Sequence, residues 1–238
     1  LSDGGVRLSE DDLSGFGFPM EYAYKSHTGV CDTRNVMLDR ATAEFVLFAD
    51  IDDCFVADGL GKLMACAYDF DVIGADYLSE GPNSETRTLS RDVIRIHAKV
   101  FRRQYLVDNQ IRFPDELETS GDMAFTWLAY SMTERIKWID EPFYEWKWNP
   151  TSVTRADPYF KASHYGNTLA CYTWLAHDLV RRDRKDLLRD LVATLFAMMY
   201  IDATSVVWKS YPKDLRALAE SHMSDCITEF MPVYEGFT

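Results

Sequence analysis

Three carboxylates that directly follow a hydrophobic run constrain this chain more than any other feature. The run from Phe45 to Phe48 is typical of a buried strand, and Asp50, Asp52 and Asp53 come immediately after it. Like charges this close repel one another, and they do so more strongly away from water. The chain already carries a formal net charge of −13. The pattern therefore predicts a positive group or a cation at the end of this strand.

The composition indicates a folded protein with no nucleic-acid partner. Of the 238 residues, 47% are hydrophobic, which is enough for one large domain or two small ones. Asp and Glu number 38 against 25 Lys and Arg. Proteins that bind nucleic acids through their phosphates present net basic faces, so this acidic balance argues against that class.

The cysteines and the apolar segments predict a cytoplasmic protein. The five cysteines include no C-x-x-C pair, and their odd number does not favour a disulfide framework. The apolar run 191–201 is shorter than the roughly 20 residues that cross a bilayer. A basic cluster leaves two alternatives, peripheral contact with the inner face of a membrane or a solvated helix face or turn. Its members are Arg181, Arg182, Arg184 and Lys185.

The order of hydrophobic patterns predicts an α/β fold with a helical C-terminal appendage. Strand patterns occupy 44–49, 71–78, 85–90, 135–140 and 142–148. Helix patterns occupy 32–42, with Asp32 as a cap, and 57–68, 97–109, 122–133 and most of 159–222. We therefore expect an α/β domain over 1–155 and a helical extension over 156–238.

The acids stand where α/β proteins bind ligands. Open α/β sheets bind ligands beyond the carboxyl ends of their strands. Asp50 and Asp52 would share a face if strand geometry continued through them. Such oxygens suit Mg²⁺ or Mn²⁺, and Mg²⁺ commonly completes its shell with substrate phosphates. The alternative is a capped turn after a strand, with no ligand.

Several motifs in the same order resemble the family 2 glycosyltransferases. The segment 28–55 is similar to the family's Gly-x-x-x-x-Arg-Asn helix followed by an Asp-x-Asp strand end, with Gly29, Arg34 and Asn35 in register. Later family motifs are similar to 98–114, 120–127 and 136–154. The resemblance covers about residues 28–155. It implies a GT-A-type, Rossmann-like fold for nucleotide-diphosphate sugars, with helices on both faces of the sheet.

The resemblance also implies an activity. Such enzymes are inverting transferases that move a sugar from a nucleotide-diphosphate donor, commonly a UDP-sugar, to a hydroxyl acceptor. A glycan or a lipid-linked saccharide would be the acceptor, and polysaccharide biosynthesis the context. Separately, the apolar content of the C-terminal helices, such as 186–201, predicts that they cover the acceptor side or form an oligomer contact.

The resemblance assigns roles to particular residues. Asp50 would contact the donor ribose, Asp52 would hold Mn²⁺ or Mg²⁺, and Asp53 would support the donor site. Asp122, in the later Gly-Asp motif, would be the catalytic base that removes the acceptor proton. Local sequence also allows Asp122 to be an ordinary helix cap. Arg34 either contacts the donor phosphates or pins its helix to an acid.

The first residues depart from the family pattern. Family members open with a strand-helix unit and a second strand that ends in Asp-Asp-Gly-Ser, whereas this chain opens with Leu-Ser-Asp-Gly-Gly. Asp3 is similar in position to the end of that second strand, which implies a contact with the donor base. We expect a fragment that lacks the first unit. The alternatives are a degenerate member or a missing part supplied by another chain.

Two other functions remain as alternatives. A strand followed by Asp-x-Asp also resembles haloacid-dehalogenase-type phosphatases, in which the first Asp is a nucleophile. That family has Gly-Thr or Gly-Val after the acids and a second acid at the position of Thr126, whereas Cys54 and Phe55 follow the acids here. The second alternative is a non-catalytic member of the glycosyltransferase fold that binds sugar nucleotides without turnover.

Overall fold

A computed structural model of the chain describes residues 2–3, 9, 19–117, 119–152 and 159–236. Its strands are β1 (Ser2–Asp3), β2 (Tyr24–Lys25), β3 (Phe45–Val46), β4 (Cys54–Phe55), β5 (Val72–Glu80), β6 (Thr86–Leu89), β7 (Lys99–Arg102) and β8 (Ile136–Trp146). Its helices are α1 (Val30–Arg40), α2 (Gly59–Ala65), α3 (Arg103–Asp108), α4 (Gly121–Ser131), α5 (Phe160–Ser163), α6 (Tyr165–Arg181), α7 (Lys185–Thr204), α8 (Val206–Ser210) and α9 (Lys213–Glu235). The predicted α/β class is confirmed.

The main sheet is mixed and has β5 at its centre. Its strand order is β3-β7-β5-β8-β4, and β6 pairs with β5 beyond that path. β5 and β8 run parallel, whereas the pairs β5–β7, β3–β7, β4–β8 and β5–β6 are antiparallel. β1 and β2 form a separate parallel pair. The sheet therefore combines the parallel pairing typical of α/β folds with antiparallel neighbours.

Both faces of the sheet are covered by helices, as predicted. Val72 lies opposite Phe101 in the ladder, and Ile73 lies opposite Val100. Because successive side chains of a strand point to opposite faces, Val72 and Phe101 enter one core with residues of α1, α4 and α6. Ile73 and Val100 enter a second core, which includes Leu63 of α2.

Two secondary-structure predictions were wrong in part. The segment predicted as one helix over 97–109 begins as strand β7, which pairs with both β3 and β5 before α3 starts. The two strands predicted over 135–148 are one strand, β8. Pro142 lacks an N–H for the ladder, and the register of β8 against β5 shifts next to it, where Pro142 lies opposite Asp76. A bulge of this kind lets the strand continue past the proline.

The C-terminal part is helical from α5 to α9, as predicted. The core that contains Phe125 of α4 continues into Leu169 and Leu175 of α6 and Leu195 of α7. The predicted boundary between 155 and 156 falls in the range 153–158, outside the described residues, so the division into two domains stays a prediction. The same holds for an acceptor-side or oligomer role of these helices.

The basic cluster at the α6–α7 turn makes local contacts. Arg181 pairs with Asp178 at 3.0 Å, and Arg184 pairs with Asp186 at 2.7 Å. Arg182 donates from Nη1 to the carbonyl of Asn109 at 2.6 Å. These contacts support a structural role at the turn, and membrane contact stays a prediction. None of the helices in the described ranges is long and apolar enough to cross a membrane.

Candidate active site

The three acids after β3 lie on a tight turn. The backbone N–H of Asp53 donates to the carbonyl of Asp50 at 3.2 Å, and Ile51 between them is fully exposed. Only Phe45 and Val46 of the predicted strand pair with a neighbour. The expectation that Asp50 and Asp52 share a strand face was therefore wrong. The backbone at these acids instead forms a turn, as in the alternative interpretation.

Tyr144 of β8 holds this turn through two hydrogen bonds. Its buried hydroxyl accepts the N–H of Asp50 at 3.1 Å and donates to Oδ2 of Asp53 at 2.6 Å. The N–H of Lys147 donates to Oδ1 of Asp53 at 2.9 Å. Asp53 thus uses both carboxylate oxygens to hold the turn against β8. Burial, together with the nearby charges of the other two acids, raises the pKa of Asp53.

Asp52 lies on the surface of the turn, where a ligand can reach it. It is exposed, and in the described part of the chain its carboxylate accepts one side-chain hydrogen bond, from Nδ2 of Asn149 at 2.9 Å. Mg²⁺ commonly takes one or two carboxylates and completes its shell with phosphate and water oxygens. Among the described residues no group of three or more His, Cys, Asp or Glu side chains is placed to hold a metal. A single accessible carboxylate fits the small protein share that a diphosphate-bound Mg²⁺ or Mn²⁺ needs, and a cation at Asp52 stays a prediction.

Arg34 of α1 joins the turn to the later Gly-Asp motif. Its Nη2 lies 3.1 Å from Oδ1 of Asp50, and its Nη1 binds Oδ1 of Asp122, 88 positions away in the chain. The guanidinium is buried and lies over the ring of Phe113, 5.5 Å from its centroid. Arg34 therefore links its helix to two acids, which agrees with the alternative of a structural ion pair. Contact with donor phosphates stays a prediction.

Asn35, the next residue of α1, fixes the loop before α4. Its Nδ2 donates to the carbonyl of Phe113 at 2.9 Å and to Oδ1 of Asp115 at 2.6 Å. Its Oδ1 accepts the N–H of Phe113 at 3.0 Å. The Arg-Asn pair therefore acts in two directions, since Arg34 binds the acids and Asn35 binds the segment that leads to Asp122.

Asp122 lies in the first turn of α4 and is not its cap. The N-cap position is Ser120, whose side chain makes no capping bond, so the alternative of Asp122 as the helix cap is not observed. Asp32 likewise lies inside the first turn of α1, whose N-cap is Gly29. The carboxylate of Asp122 binds Arg34 and the backbone N–H of Ile96. Burial raises the pKa of Asp122, with Arg34 opposing and Asp50 adding to that rise.

Tyr144, Asn149 and His97 belong to the site but were not predicted from the sequence. Tyr144 and Asn149 fall in the segment 136–154, whose family resemblance was a usable signal. His97 is buried and its ring stacks on Tyr144, with centroids 5.0 Å apart. Burial lowers the pKa of His97 to about 3, which keeps the ring neutral. No local pattern marks this histidine.

Asp3, the predicted base contact, is described by its backbone alone. Its backbone lies in β1, opposite Lys25 of β2. Its side chain lies outside the described part of the chain, so the base contact stays a prediction.

The fold is that of solved glycosyltransferase structures. A Staphylococcus aureus TarS structure, residues 1–349, aligns with a TM-score of 0.60 and 19% identity over 89% of this chain and 66% of that chain. The complex of the same protein with UDP-GlcNAc aligns with a TM-score of 0.58 and 18% identity, over 90% of this chain and 74% of that chain. At this level of identity the likeness establishes the fold.

Two curated relatives are similar in sequence. Both are poly(ribitol-phosphate) beta-N-acetylglucosaminyltransferase TarS, from Staphylococcus aureus strains Mu50 / ATCC 700699 and MW2. Each is 32% identical over 129 residues, which is 47% of this chain and 22% of the relative. The match thus spans about a fifth of the relatives' length. No protein-family model matches the chain.

Proposed function

We propose that this chain is the donor-binding and catalytic part of an inverting, GT-A-type family 2 glycosyltransferase. It transfers a sugar from a UDP-sugar to a hydroxyl of a glycan or lipid-linked acceptor, with Mn²⁺ or Mg²⁺. The observation that carries the proposal is the Arg34 bridge, since one guanidinium binds both Asp50 of the Asp-x-Asp turn and Asp122. The fold and sequence similarity to TarS support it. A cytoplasmic location is part of the proposal, on the odd number of cysteines in the sequence.

The acid turn is the proposed donor side. Asp50 contacts the ribose and Asp52 holds the divalent cation, while Asp53 keeps the turn in place through Tyr144. A bound cation would supply positive charge for the leaving diphosphate. The exposure of Asp52 supports this assignment, because a carboxylate that meets a diphosphate-bound cation has to reach the surface of the site.

Asp122 is the proposed base. Its carboxylate accepts the proton of the acceptor hydroxyl while that oxygen forms a bond to the anomeric carbon. The bond from the anomeric carbon to the diphosphate oxygen breaks on the opposite side, and the configuration inverts. A raised pKa suits a base that works near neutral pH, because a more basic carboxylate is a better proton acceptor.

The alternatives have less support. Phosphatases of the haloacid-dehalogenase type have an acid where this chain has Thr126, which is fully buried inside α4. A non-catalytic, sugar-nucleotide-binding member of the same fold remains the second candidate, because it would show the same acids. Turnover separates it from the enzyme.

Binding of UDP by calorimetry, with and without Mn²⁺, tests the donor site. We expect Mn²⁺-dependent binding by the wild type, its loss in Asp52→Ala and its retention in the control Asp190→Ala, which removes an exposed acid of α7. Equal, metal-independent binding in all three proteins would contradict the donor site.

Transfer is tested with UDP-GlcNAc as donor, because a TarS structure binds it. The acceptor is poly(ribitol phosphate), the polymer in the name of TarS. Asp122→Asn should lower turnover about 100-fold or more while UDP binding is kept. The control is Asp190→Asn. UDP binding without any turnover, unchanged by Asp122→Asn, would favour the non-catalytic alternative.

A further inference from the structure

The residue before α4 has an unusual backbone that other groups hold in place. Ser120 is left-handed, with φ 65° and ψ 8°, a conformation that residues other than glycine seldom adopt. Its carbonyl accepts the N–H of Ala124 at 3.2 Å. The thiol of Cys171, from α6, donates to the same carbonyl at 3.5 Å. A buried thiol thus fixes the backbone two residues before Asp122.

A second buried thiol lies against Gly121. Cys31 of α1 is 3% exposed, and its Sγ lies 3.8 Å from the carbonyl of Leu117. A Cβ on residue 121 would overlap that Sγ, whereas the next nearest atoms, Cβ of Cys31 and Cδ of Pro114, would lie 3.9 Å away. Of the atoms outside α4 itself, the sulfur is thus the one that a Cβ at 121 would meet too closely.

Two residues on adjacent turns of helix α1 contact two neighbouring residues of α4. Cys31 and Arg34 are three residues apart, so they project from the same face of the helix. Cys31 contacts Gly121 and Arg34 binds Asp122. Any shift of the backbone at 121 is therefore passed to the carboxylate that Arg34 holds.

We propose that Cys31 and Gly121 are a size-matched pair of positioning residues that set the place of the Asp122 carboxylate. The inference rests on the proposed function only for its effect on turnover, because the placement of Asp122 against Arg34 is a property of the free protein. Neither residue touches substrate in this proposal. Both act through the backbone that carries Asp122.

The pair is tested by compensation between two substitutions. Gly121→Ala should lower kcat with UDP-GlcNAc by about 10-fold or more, since small displacements of a catalytic group have effects of this order, and should change the KM for donor less than about twofold. Cys31→Ala removes the overlapping sulfur, so the double variant should regain a kcat within about threefold of Cys31→Ala alone. If Gly121→Ala does not fold, recovery of folded protein by Cys31→Ala is the expected result.

Two controls separate positioning from general damage. Gly61→Ala adds a Cβ to a helix where it meets nothing within 4 Å, and Cys226→Ala removes a thiol that is equally buried but lies in α9. Neither should change kcat. A double variant no better than Gly121→Ala would overturn the proposal, and so would a fully active Gly121→Ala, which would mean that the Cys31 side chain simply rotates.

A readout without turnover keeps this inference distinct from the proposed function. The pKa of Asp122, followed by carbon NMR of its carboxyl group, should rise in Gly121→Ala because the carboxylate moves away from Arg34, and should return in the double variant. An unchanged pKa in Gly121→Ala overturns the positioning role. An inactive wild type with the expected pKa pattern would overturn the proposed function alone.

Discussion

Replacing Asn35 by Ala should lower the free energy of unfolding by about 3 kcal/mol. The Asn35 side chain makes three hydrogen bonds to the 113–115 loop, and Asn35 and Phe113 are 5% and 2% exposed. The substitution leaves the N–H and the carbonyl of Phe113 without the amide, in a place that water does not reach. One unsatisfied buried group costs about 1–3 kcal/mol, so two give about 3 kcal/mol after partial relaxation.

Urea denaturation at pH 7, followed by circular dichroism, measures this loss. For a chain of this length the same loss lowers Tm by about 6–12 °C, at roughly 2–4 °C for each kcal/mol. Asn109→Ala is the control, because it removes one hydrogen bond, from Nδ2 to the carbonyl of Tyr105. We expect that change to cost less than about 1.5 kcal/mol.

A second substitution at the same position sharpens the test. Asn35→Asp keeps an acceptor for the N–H of Phe113 but places a second carboxylate beside Asp115. It should be no more stable than Asn35→Ala at neutral pH, because a carboxylate at the buried position 35 loses hydration and is repelled by Asp115. An Asn35→Ala protein within about 0.5 kcal/mol of wild type would refute the idea that these hydrogen bonds hold the loop.

Three further predictions concern the site. Tyr144→Phe should weaken Mn²⁺-dependent UDP binding several-fold in calorimetry, because Asp53 and its turn lose the hydroxyl that anchors them. His97 should contribute a loss of about 2 kcal/mol of unfolding free energy between pH 7 and pH 5, because unfolded His97 gains a proton near pH 6.5 while burial lowers its pKa to about 3 in the fold. In urea titrations, the changes of the wild type and of His97→Phe between these two pH values should therefore differ by about that amount. Arg34→Met should raise the pKa of Asp122 and move the acidic limb of the pH–rate profile to higher pH.

These predictions have separate controls and contrary outcomes. Tyr68→Phe changes an exposed tyrosine and should leave UDP binding unchanged. His177→Phe changes an exposed histidine and should keep the wild-type loss of stability at pH 5. A Tyr144→Phe protein with wild-type affinity, a His97→Phe protein with the wild-type pH dependence or an acidic limb that stays in place in Arg34→Met would each contradict the corresponding argument.

Elements with strong local patterns were predicted well from the sequence. The helix predicted over 122–133 is α4, Gly121–Ser131, and the strand predicted over 71–78 is β5, Val72–Glu80. Strand β7 was missed, because its conformation comes from pairing with β3 on one side and β5 on the other. Local propensity carries no information about such distant partners.

The residues of the candidate site also divide into those with a local sequence signal and those without one. Arg34, Asp50 and Asp122 were selected from motifs, and the structure brings them together. The contacts of Tyr144 with the acid turn join residues more than 90 positions apart. No spacing rule within the turn predicts a partner at that distance. The chemical roles of these residues stay predictions until binding and turnover are measured.

The shared guanidinium of Arg34 makes the energetics of the site cooperative. The guanidinium of Arg34 binds both Asp50 and Asp122. When one of these acids is removed, both Nη groups can bind the remaining acid. The effects of Asp50→Asn and Asp122→Asn on stability should therefore not be additive, as is general for residues in one ion-pair network. Substitutions in this network should therefore be epistatic. Which residue is tolerated at position 34, 50 or 122 should depend on the charges at the other two positions.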